Sequence, residues 1–186
     1  VVFIPAFSGL YAPYWDGGAR GTIFGMSQYT TSSHIARAAL EGVCFQVRAI
    51  LRAMAEDAGG SKDFLESALH NQNEKSPLST LAVDGGMSKA DEVLQIQADI
   101  LGPCVTVKRA PILECTALGA AIAAGLSFKD ESQRMWKDLD DVKARIKSTQ
   151  DDMFEAELSD EERRKQWKRW ERAIERARGW LDEDPE

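Results

Sequence analysis

The stretch Leu81-Ala82-Val83-Asp84-Gly85-Gly86-Met87-Ser88 has the pattern of a buried strand, a glycine turn and the start of a helix. Its apolar beginning predicts the strand, and apolar residues at helical spacing over 93–101 predict the helix that follows the turn. Ser88 is expected to cap this helix, and Asp91, three residues later, is expected to complete a capping box.

The two glycines of this turn suit a ligand that carries a phosphate. Because glycine has no Cβ, a flat ligand can lie close to the backbone, and we expect Gly86 to have a positive φ or a very close backbone contact. The helix N-terminus beyond the turn offers N–H groups and a partial positive charge to a phosphate. Tight packing between strand and helix is the alternative explanation, so the motif needs support from the rest of the chain.

Composition restricts the class of protein. The chain has 186 residues, of which 44% are hydrophobic and 28% charged, as expected for one soluble domain or part of a larger one. A net charge of −7 argues against general nucleic-acid affinity, and the apolar segment at 117–124 is too short to span a membrane. The sequence shows no secretory signal, and its three cysteines lack the spacing of a disulfide framework or zinc site. We therefore expect a cytoplasmic protein.

The order of predicted elements indicates an α/β fold. Strands are predicted at 21–26, 81–83 and 104–108, each followed by a helix, and this alternation favours a largely parallel sheet with helices on its faces. The strand at 104–108 alternates between polar and apolar residues and is expected near an edge. Residues 61–79 are expected to form a surface insertion.

The first and longest helix is predicted over 34–57. His34 is expected to be a solvent-exposed or capping residue, and Thr116 is expected to cap a later helix rich in alanine and glycine. The predicted apolar stripe of the long helix is Ile35, Ala39, Val43, Val47, Ile50 and Met54, widened by Ala38, Leu51 and Ala55. Cys115, at the start of the later helix, is expected to be an inert small residue, with a mildly acidified thiol as the alternative.

The last part of the chain is highly charged. Ser159-Asp160-Glu161-Glu162 is typical of a capping box that begins a helix reaching about Arg178. Trp167, Trp170, Ile174 and Ala177 form one apolar stripe on that helix. Basic residues next to tryptophans are also found in nucleic-acid interfaces, but the acidic flanks favour a helix that packs on the rest of the protein.

Three sets of residues go beyond a general α/β pattern. The first consists of Phe3-Ile4-Pro5-Ala6-Phe7-Ser8-Gly9, Ala12-Pro13-Tyr14-Trp15 and Ala19-Arg20-Gly21-Thr22-Ile23-Phe24-Gly25. The second is Asp84-Gly85-Gly86-Met87-Ser88 followed by Gln95-Ile96-Gln97-Ala98-Asp99-Ile100-Leu101-Gly102, and the third is Glu114-Cys115-Thr116-Ala117-Leu118-Gly119-Ala120-Ala121. In this order they resemble the FGGY family of carbohydrate kinases and, within it, the glycerol kinases. The insertion before Leu81 and the stretch Thr30-Thr31-Ser32-Ser33-His34 resemble the fungal branch.

The resemblance implies an actin-like ATPase fold of the ribonuclease H-like type, with two domains and ATP in the cleft between them. This chain would be an incomplete part of the second, nucleotide-side domain. Residues 1–128 would belong to that domain, and 129–186 would be a charged helical extension that packs back on it. The implied reaction is the ATP-dependent phosphorylation of glycerol to glycerol 3-phosphate, with Mg²⁺ as cofactor.

The resemblance also indicates site residues. Gly85 and Gly86 match the family's adenosine-contacting glycines, and the backbone near Ala90 is expected to approach the nucleotide. Many bacterial members have two asparagines where this chain has Ala90-Asp91, so Asp91 would either bring negative charge near the phosphates or turn inward as a helix cap. The catalytic aspartate, the glycerol-binding residues and the metal ligands are expected outside this chain, which is therefore expected to be inactive alone.

Two further hypotheses remain open at this point. One is a kinase of the same family that acts on another polyol or sugar. The other is a non-catalytic actin-like module whose tryptophan-bearing C-terminal helix binds a partner. ATP or ADP and glycerol are the expected small-molecule partners, nucleic acid is not expected, and a homo-oligomer is allowed.

Overall fold

The computed structural model describes residues 1–59, 65, 78–128, 130, 132, 134–145 and 152–181. The strands are β1 (Val2–Ile4), β2 (Thr22–Phe24), β3 (Thr80–Val83), β4 (Thr106–Arg109) and β5 (Met153–Phe154). The helices are α1 (Ser32–Asp57), α2 (Asp91–Leu101), α3 (Cys115–Leu126), α4 (Leu139–Arg145) and α5 (Asp160–Ala177), with a 3₁₀ turn at Gly86–Lys89. Most of the surface insertion predicted at 61–79 falls outside the described residues.

The strands form two separate small sheets. β1 and β2 pair antiparallel, whereas β3 and β4 pair in parallel and β5 adds antiparallel to the other side of β4. The parallel arrangement is thus confirmed for β3 and β4 only, and the inclusion of the strand at 21–26 in the same sheet was wrong. The edge position predicted for the strand at 104–108 was also wrong, because the two-residue β5 is too short to leave a periodic pattern.

Helix α1 begins with a reciprocal cap. The Thr31 side chain accepts a hydrogen bond from the His34 backbone N–H at 3.4 Å, and His34 Nδ1 accepts one from the Thr31 N–H at 3.2 Å. The expected capping role of His34 is therefore confirmed. The helix runs to Asp57, the predicted end.

The buried face of α1 matches the predicted stripe only in part. Ala38, Leu51 and Ala55 are buried as predicted, whereas Val43, Ile50 and Met54 are exposed. The other buried residues of the helix are Gly42, Cys44, Phe45, Arg48 and Ala49. Close approach to β1 explains this choice, since a Cβ built on Gly42 would lie only 2.4 Å from the Phe3 carbonyl oxygen. The small side of the helix around Gly42 therefore forms the contact with β1, and a pattern based on large apolar residues does not predict that contact.

Two hydrophobic clusters make up the described core. The first joins β1, the loop after it, α1, α2 and α5; the second lies under β3 and β4 and includes residues of α1 and α2. Leu65 belongs to the second cluster and is 1% exposed. Helix α1 contributes to both clusters, so it links the two sheets. Among the described residues, none of the helices is both long and apolar enough to cross a membrane.

Helix α5 contributes the largest side chains of the first cluster. Trp170 is fully buried, its ring stacks on Phe45 at a centroid distance of 5.2 Å, and its Nε1–H donates to the Tyr14 hydroxyl at 3.4 Å. Ser159 caps the helix as predicted, accepting a hydrogen bond from the Glu162 N–H at 3.4 Å. The predicted stripe of Trp167, Trp170, Ile174 and Ala177 is buried throughout.

Asp16 connects the loop after β1 to the end of α5. Its carboxylate accepts hydrogen bonds from the backbone N–H groups of Gly18 and Ala19, at 2.8 and 2.9 Å, and of Gly179, at 3.0 Å. Arg178 lies 3.5 Å away. Burial raises the pKa of Asp16, but the three N–H groups and Arg178 outweigh it, so the net effect is a lowered pKa.

We predict that Trp170→Ala lowers the free energy of unfolding by about 3–5 kcal/mol, because it leaves a large cavity against Phe45. Trp180→Ala is the control, since Trp180 is 64% exposed and its removal should change stability by no more than about 0.5 kcal/mol. Denaturant unfolding of the three proteins measures both effects. A loss below about 1 kcal/mol for Trp170→Ala would contradict this packing.

We also predict that Asp16→Asn lowers the melting temperature near pH 7, and that the difference from the parent shrinks in acid. A carboxyl whose pKa is lower in the folded than in the unfolded state stabilises the fold above its ordinary pKa and loses that contribution as pH falls through the folded value. Asp130→Asn is the control, because the lowered pKa of Asp130 comes from local bonds to Ser132. Equal shifts for both variants across the titration would refute the bridging role.

Candidate functional site

The glycine turn follows β3 directly and projects from the end of the sheet. Gly85 has a φ of 87°, a left-handed conformation that residues with a side chain rarely adopt. Its N–H donates to the Leu113 carbonyl at 3.0 Å, which ties the turn to the segment before α3. A 3₁₀ turn at Gly86–Lys89 then leads to α2.

The expectation of a positive φ at Gly86 was wrong, because the positive φ belongs to Gly85. A Cβ built on either glycine would meet no other protein atom within 4 Å. The described packing of this chain therefore does not require the absence of a side chain at Gly86. The space next to both glycines is open in the described part of the chain.

The predicted capping box at this turn was wrong. Ser88 is 3% exposed, and its hydroxyl donates to the Gly85 carbonyl at 2.8 Å instead of capping α2. The helix begins at Asp91 after Ala90, and no side chain caps it. The 3₁₀ turn causes the difference, because it lies between the glycines and the helix and directs Ser88 back into the turn. No N-cap side chain therefore occupies the first N–H groups of α2, which remain suited to an anion.

Arg109, the last residue of β4, makes contacts that hold this turn in place. It lies opposite Val83 in the parallel register, and its Nε–H donates to the Ser88 carbonyl at 2.7 Å. Its two terminal nitrogens form ion pairs with Asp91 and Asp152. Asp91 is thus neither a helix cap nor an unpaired charge.

Sequence reasoning missed Arg109. The available signal was a cation at the end of a strand parallel to the one that carries the glycine turn. Parallel strands end at the same edge of a sheet, so such a residue lies next to the turn.

Helix α3 begins near the same turn, at Cys115 and not at the predicted cap Thr116. Glu114 precedes the helix without a side-chain cap. The pKa of Cys115 is raised, first by interaction with Asp84 and then by burial, which rules against the alternative of an acidified thiol. The thiol donates to the Ile112 carbonyl at 3.0 Å, in agreement with the expected inert residue.

The predicted site residues lie together in space. Gly85 and Gly86 form the turn, and Ala90, whose N–H donates to the Met87 carbonyl at 3.3 Å, lies between the 3₁₀ turn and α2. The contact of Gly85, Gly86 and Ala90 with a nucleotide stays a prediction. In the described part of the chain, no group of three or more His, Cys, Asp or Glu side chains is arranged to hold a metal ion.

The loop after β1 exposes large aromatic side chains. Phe7, Tyr11 and Trp15 are 74%, 68% and 75% exposed, although the loop is firmly held through Asp16. Fixed exposed aromatics of this kind are typical of binding surfaces. The turn at Gly85-Gly86 nevertheless combines two features that suit an anion. Its backbone is open, and it precedes the uncapped start of α2.

Comparison with known proteins places this geometry in a family. Residues 1–128 match the sequence model of the C-terminal domain of the FGGY family of carbohydrate kinases. A glycerol kinase of Saccharomyces cerevisiae is 60% identical over 200 residues, covering 97% of this chain and 28% of that protein. A glycerol kinase of Deinococcus radiodurans is 44% identical over 98% of this chain and 32% of its own length.

Solved structures give the same result. A Plasmodium falciparum glycerol kinase with ADP superimposes with a TM-score of 0.71 at 35% identity, covering 95% of this chain and 30% of that one. A ligand-bound xylulose kinase of Lactobacillus acidophilus, 22% identical, shares the fold with a TM-score of 0.58 over 94% of this chain and 30% of its own. The predicted actin-like α/β fold is confirmed, and the chain spans about a third of the length of these relatives. The chain belongs to the FGGY family of carbohydrate kinases, whose C-terminal domain it matches over residues 1–128.

Proposed function

We propose that this chain forms the nucleotide-side part of an ATP-dependent glycerol kinase, which converts glycerol and ATP to glycerol 3-phosphate and ADP. The observation that carries the proposal is the open Gly85-Gly86 turn before the uncapped start of α2, in a chain similar to a glycerol kinase crystallised with ADP. Identity of 60% and 44% to two glycerol kinases favours glycerol over another acceptor.

In this proposal Gly85, Gly86 and Ala90 line the nucleotide. The bare backbone of the two glycines lets the adenosine and the α-phosphate side lie against the turn, and the first N–H groups of α2 face the phosphates. Asp91 does not repel them strongly, because Arg109 balances its charge.

Phosphoryl transfer depends on positioning and on electrostatic stabilisation, with Mg²⁺ sharing the negative charge of the phosphates. We propose that the metal ligands and the catalytic base lie elsewhere in the protein. We further propose that the protein is cytoplasmic, that residues 1–128 form the nucleotide-side domain, and that 129–186 form its C-terminal extension.

We predict that the isolated chain does not phosphorylate glycerol. Transfer to an alcohol in preference to water requires both substrates to be held in a closed cleft, and this chain provides one side of it. A coupled assay with glycerol, ATP and Mg²⁺ should show no turnover above buffer, whereas the full-length kinase should be active. Real turnover by the isolated chain would contradict this division of labour. Preference of the full-length protein for xylulose or gluconate would replace glycerol as the acceptor.

A second prediction concerns Gly86→Val in the full-length kinase. Because a Cβ added at Gly86 meets no atom of the described residues within 4 Å and φ is not positive, we expect the fold to tolerate valine while the nucleotide does not. We expect the KM for ATP to rise by about tenfold or more, as for the loss of one good contact, with the KM for glycerol nearly unchanged.

The matched control is Gly17→Val, a glycine in equally open space without a positive φ. It should leave the KM for ATP unchanged, and melting temperatures of both variants verify that they fold. An unaltered KM for ATP in a folded Gly86→Val protein would remove the turn from the nucleotide site.

A further inference from the structure

We propose that Arg109 is a positioning residue for the nucleotide and that the C-terminal segment Asp152–Phe154 acts through it. The inference rests on the proposed function, because it assumes that the Gly85-Gly86 turn contacts ATP. It adds a residue that does not itself touch the ligand, and a segment that lies beyond the family-matched residues 1–128.

The guanidinium of Arg109 joins three separate segments. Nε donates to the Ser88 carbonyl in the 3₁₀ turn, one terminal nitrogen pairs with Asp91 at the start of α2, and the other pairs with Asp152 before β5. Only arginine offers donors in a rigid planar fork that can reach three acceptors at once. Lysine keeps the charge but presents a single ammonium on a flexible stem, so it cannot hold all three segments together.

The bond to Ser88 fixes the backbone that forms the proposed site. Ser88 is buried, and both its N–H and its hydroxyl bond to the Gly85 carbonyl, at 3.2 and 2.8 Å. The positions of Gly85 and of the start of α2 are therefore connected through Ser88 to Arg109. A shift of Arg109 would therefore move the backbone of the proposed nucleotide site, although every group of that site would still be present.

The ion pair with Arg109 balances the negative charge of the Asp91 carboxylate near the proposed position of the phosphates. Asp91 is in the first turn of α2, where its carboxylate side chain is 72% exposed. Without a cation beside it, this carboxylate would oppose the phosphates that the helix start attracts. Arg109 thus makes Asp91 compatible with an anionic ligand.

Asp152–Phe154 completes the arrangement from the other side. The Arg109 backbone N–H donates to the Asp152 carbonyl at 3.0 Å, and β5 continues the pairing with Lys108 opposite Met153. The guanidinium lies 5.4 Å from the centre of the Phe154 ring, and the Arg109 side chain is only 19% exposed. The segment therefore shields the guanidinium and fixes its direction.

The chain contains a closely matched control pair. Arg52 and Glu171 form an ion pair at 3.3 Å with side-chain exposures of 19% and 48%, the same values as for Arg109 and Asp152. Arg52 also lies over an aromatic ring, that of Trp167, at 5.1 Å. Glu171 and Trp167 both lie in α5 and not in the glycine turn.

The test is steady-state kinetics of the full-length kinase with four variants: Arg109→Lys, Asp152→Asn, Arg52→Lys and Glu171→Gln. For Arg109→Lys we expect the KM for ATP to rise about tenfold and the KM for glycerol to change less than about twofold. Asp152→Asn should raise the KM for ATP by about threefold, since it weakens one exposed pair and keeps the rest. The two control variants should leave both KM values unchanged.

Melting temperatures separate positioning from general stability, because the control variants should lower stability as much as their counterparts do. A KM for ATP that is unchanged in Arg109→Lys, while Gly86→Val still raises it, overturns the role of Arg109 and leaves the nucleotide site intact. If neither variant changes the KM for ATP, the proposed site itself is wrong. Equal increases in both KM values for Arg109→Lys also overturn the proposal, as they indicate a general loss of structure.

Discussion

The stack of Phe45 on Trp170 is the contact on which the arrangement of this chain depends. It brings α1 and α5, more than one hundred residues apart in sequence, into one hydrophobic cluster with β1. Arg48 lies over the neighbouring Trp167 ring at 4.7 Å and donates to the Ile100 carbonyl of α2 at 2.7 Å. Because α1 also reaches the second cluster, it joins the part of the chain that packs on α5 to the sheet of β3 and β4.

The two loops that face outward are held by the C-terminal part of the chain. Asp16 fixes the aromatic loop after β1 to the end of α5, and Asp152 reaches the glycine turn through Arg109. Asp16 accepts from several donors and Arg109 donates to several acceptors, and both arrangements give geometry as well as energy. The residues after 128 are therefore part of the support of the proposed site, although the family match ends before them.

The glycine turn combines an open backbone with a controlled charge. The 3₁₀ turn directs Ser88 inward, leaves α2 without a side-chain cap and lets Asp91 reach Arg109. Each of these features would favour an anion at the start of α2. None of them follows from the two glycines alone, which tight packing would also explain.

The sequence by itself determined the α/β class, the strand before Gly85, the extent of α1 to Asp57, the cap at Ser159 and the family, because periodicity, caps and contiguous motifs are local patterns. Tertiary structure decided which face of α1 is buried, the central place of β4 and the partners of Asp91. These features depend on residues far apart in the chain. The missing side chain of Gly42 allows β1 to lie close to α1, β5 pairs with the outer side of β4, and Arg109 forms an ion pair with Asp91. A local pattern cannot record such a choice, since it is made only when distant segments meet.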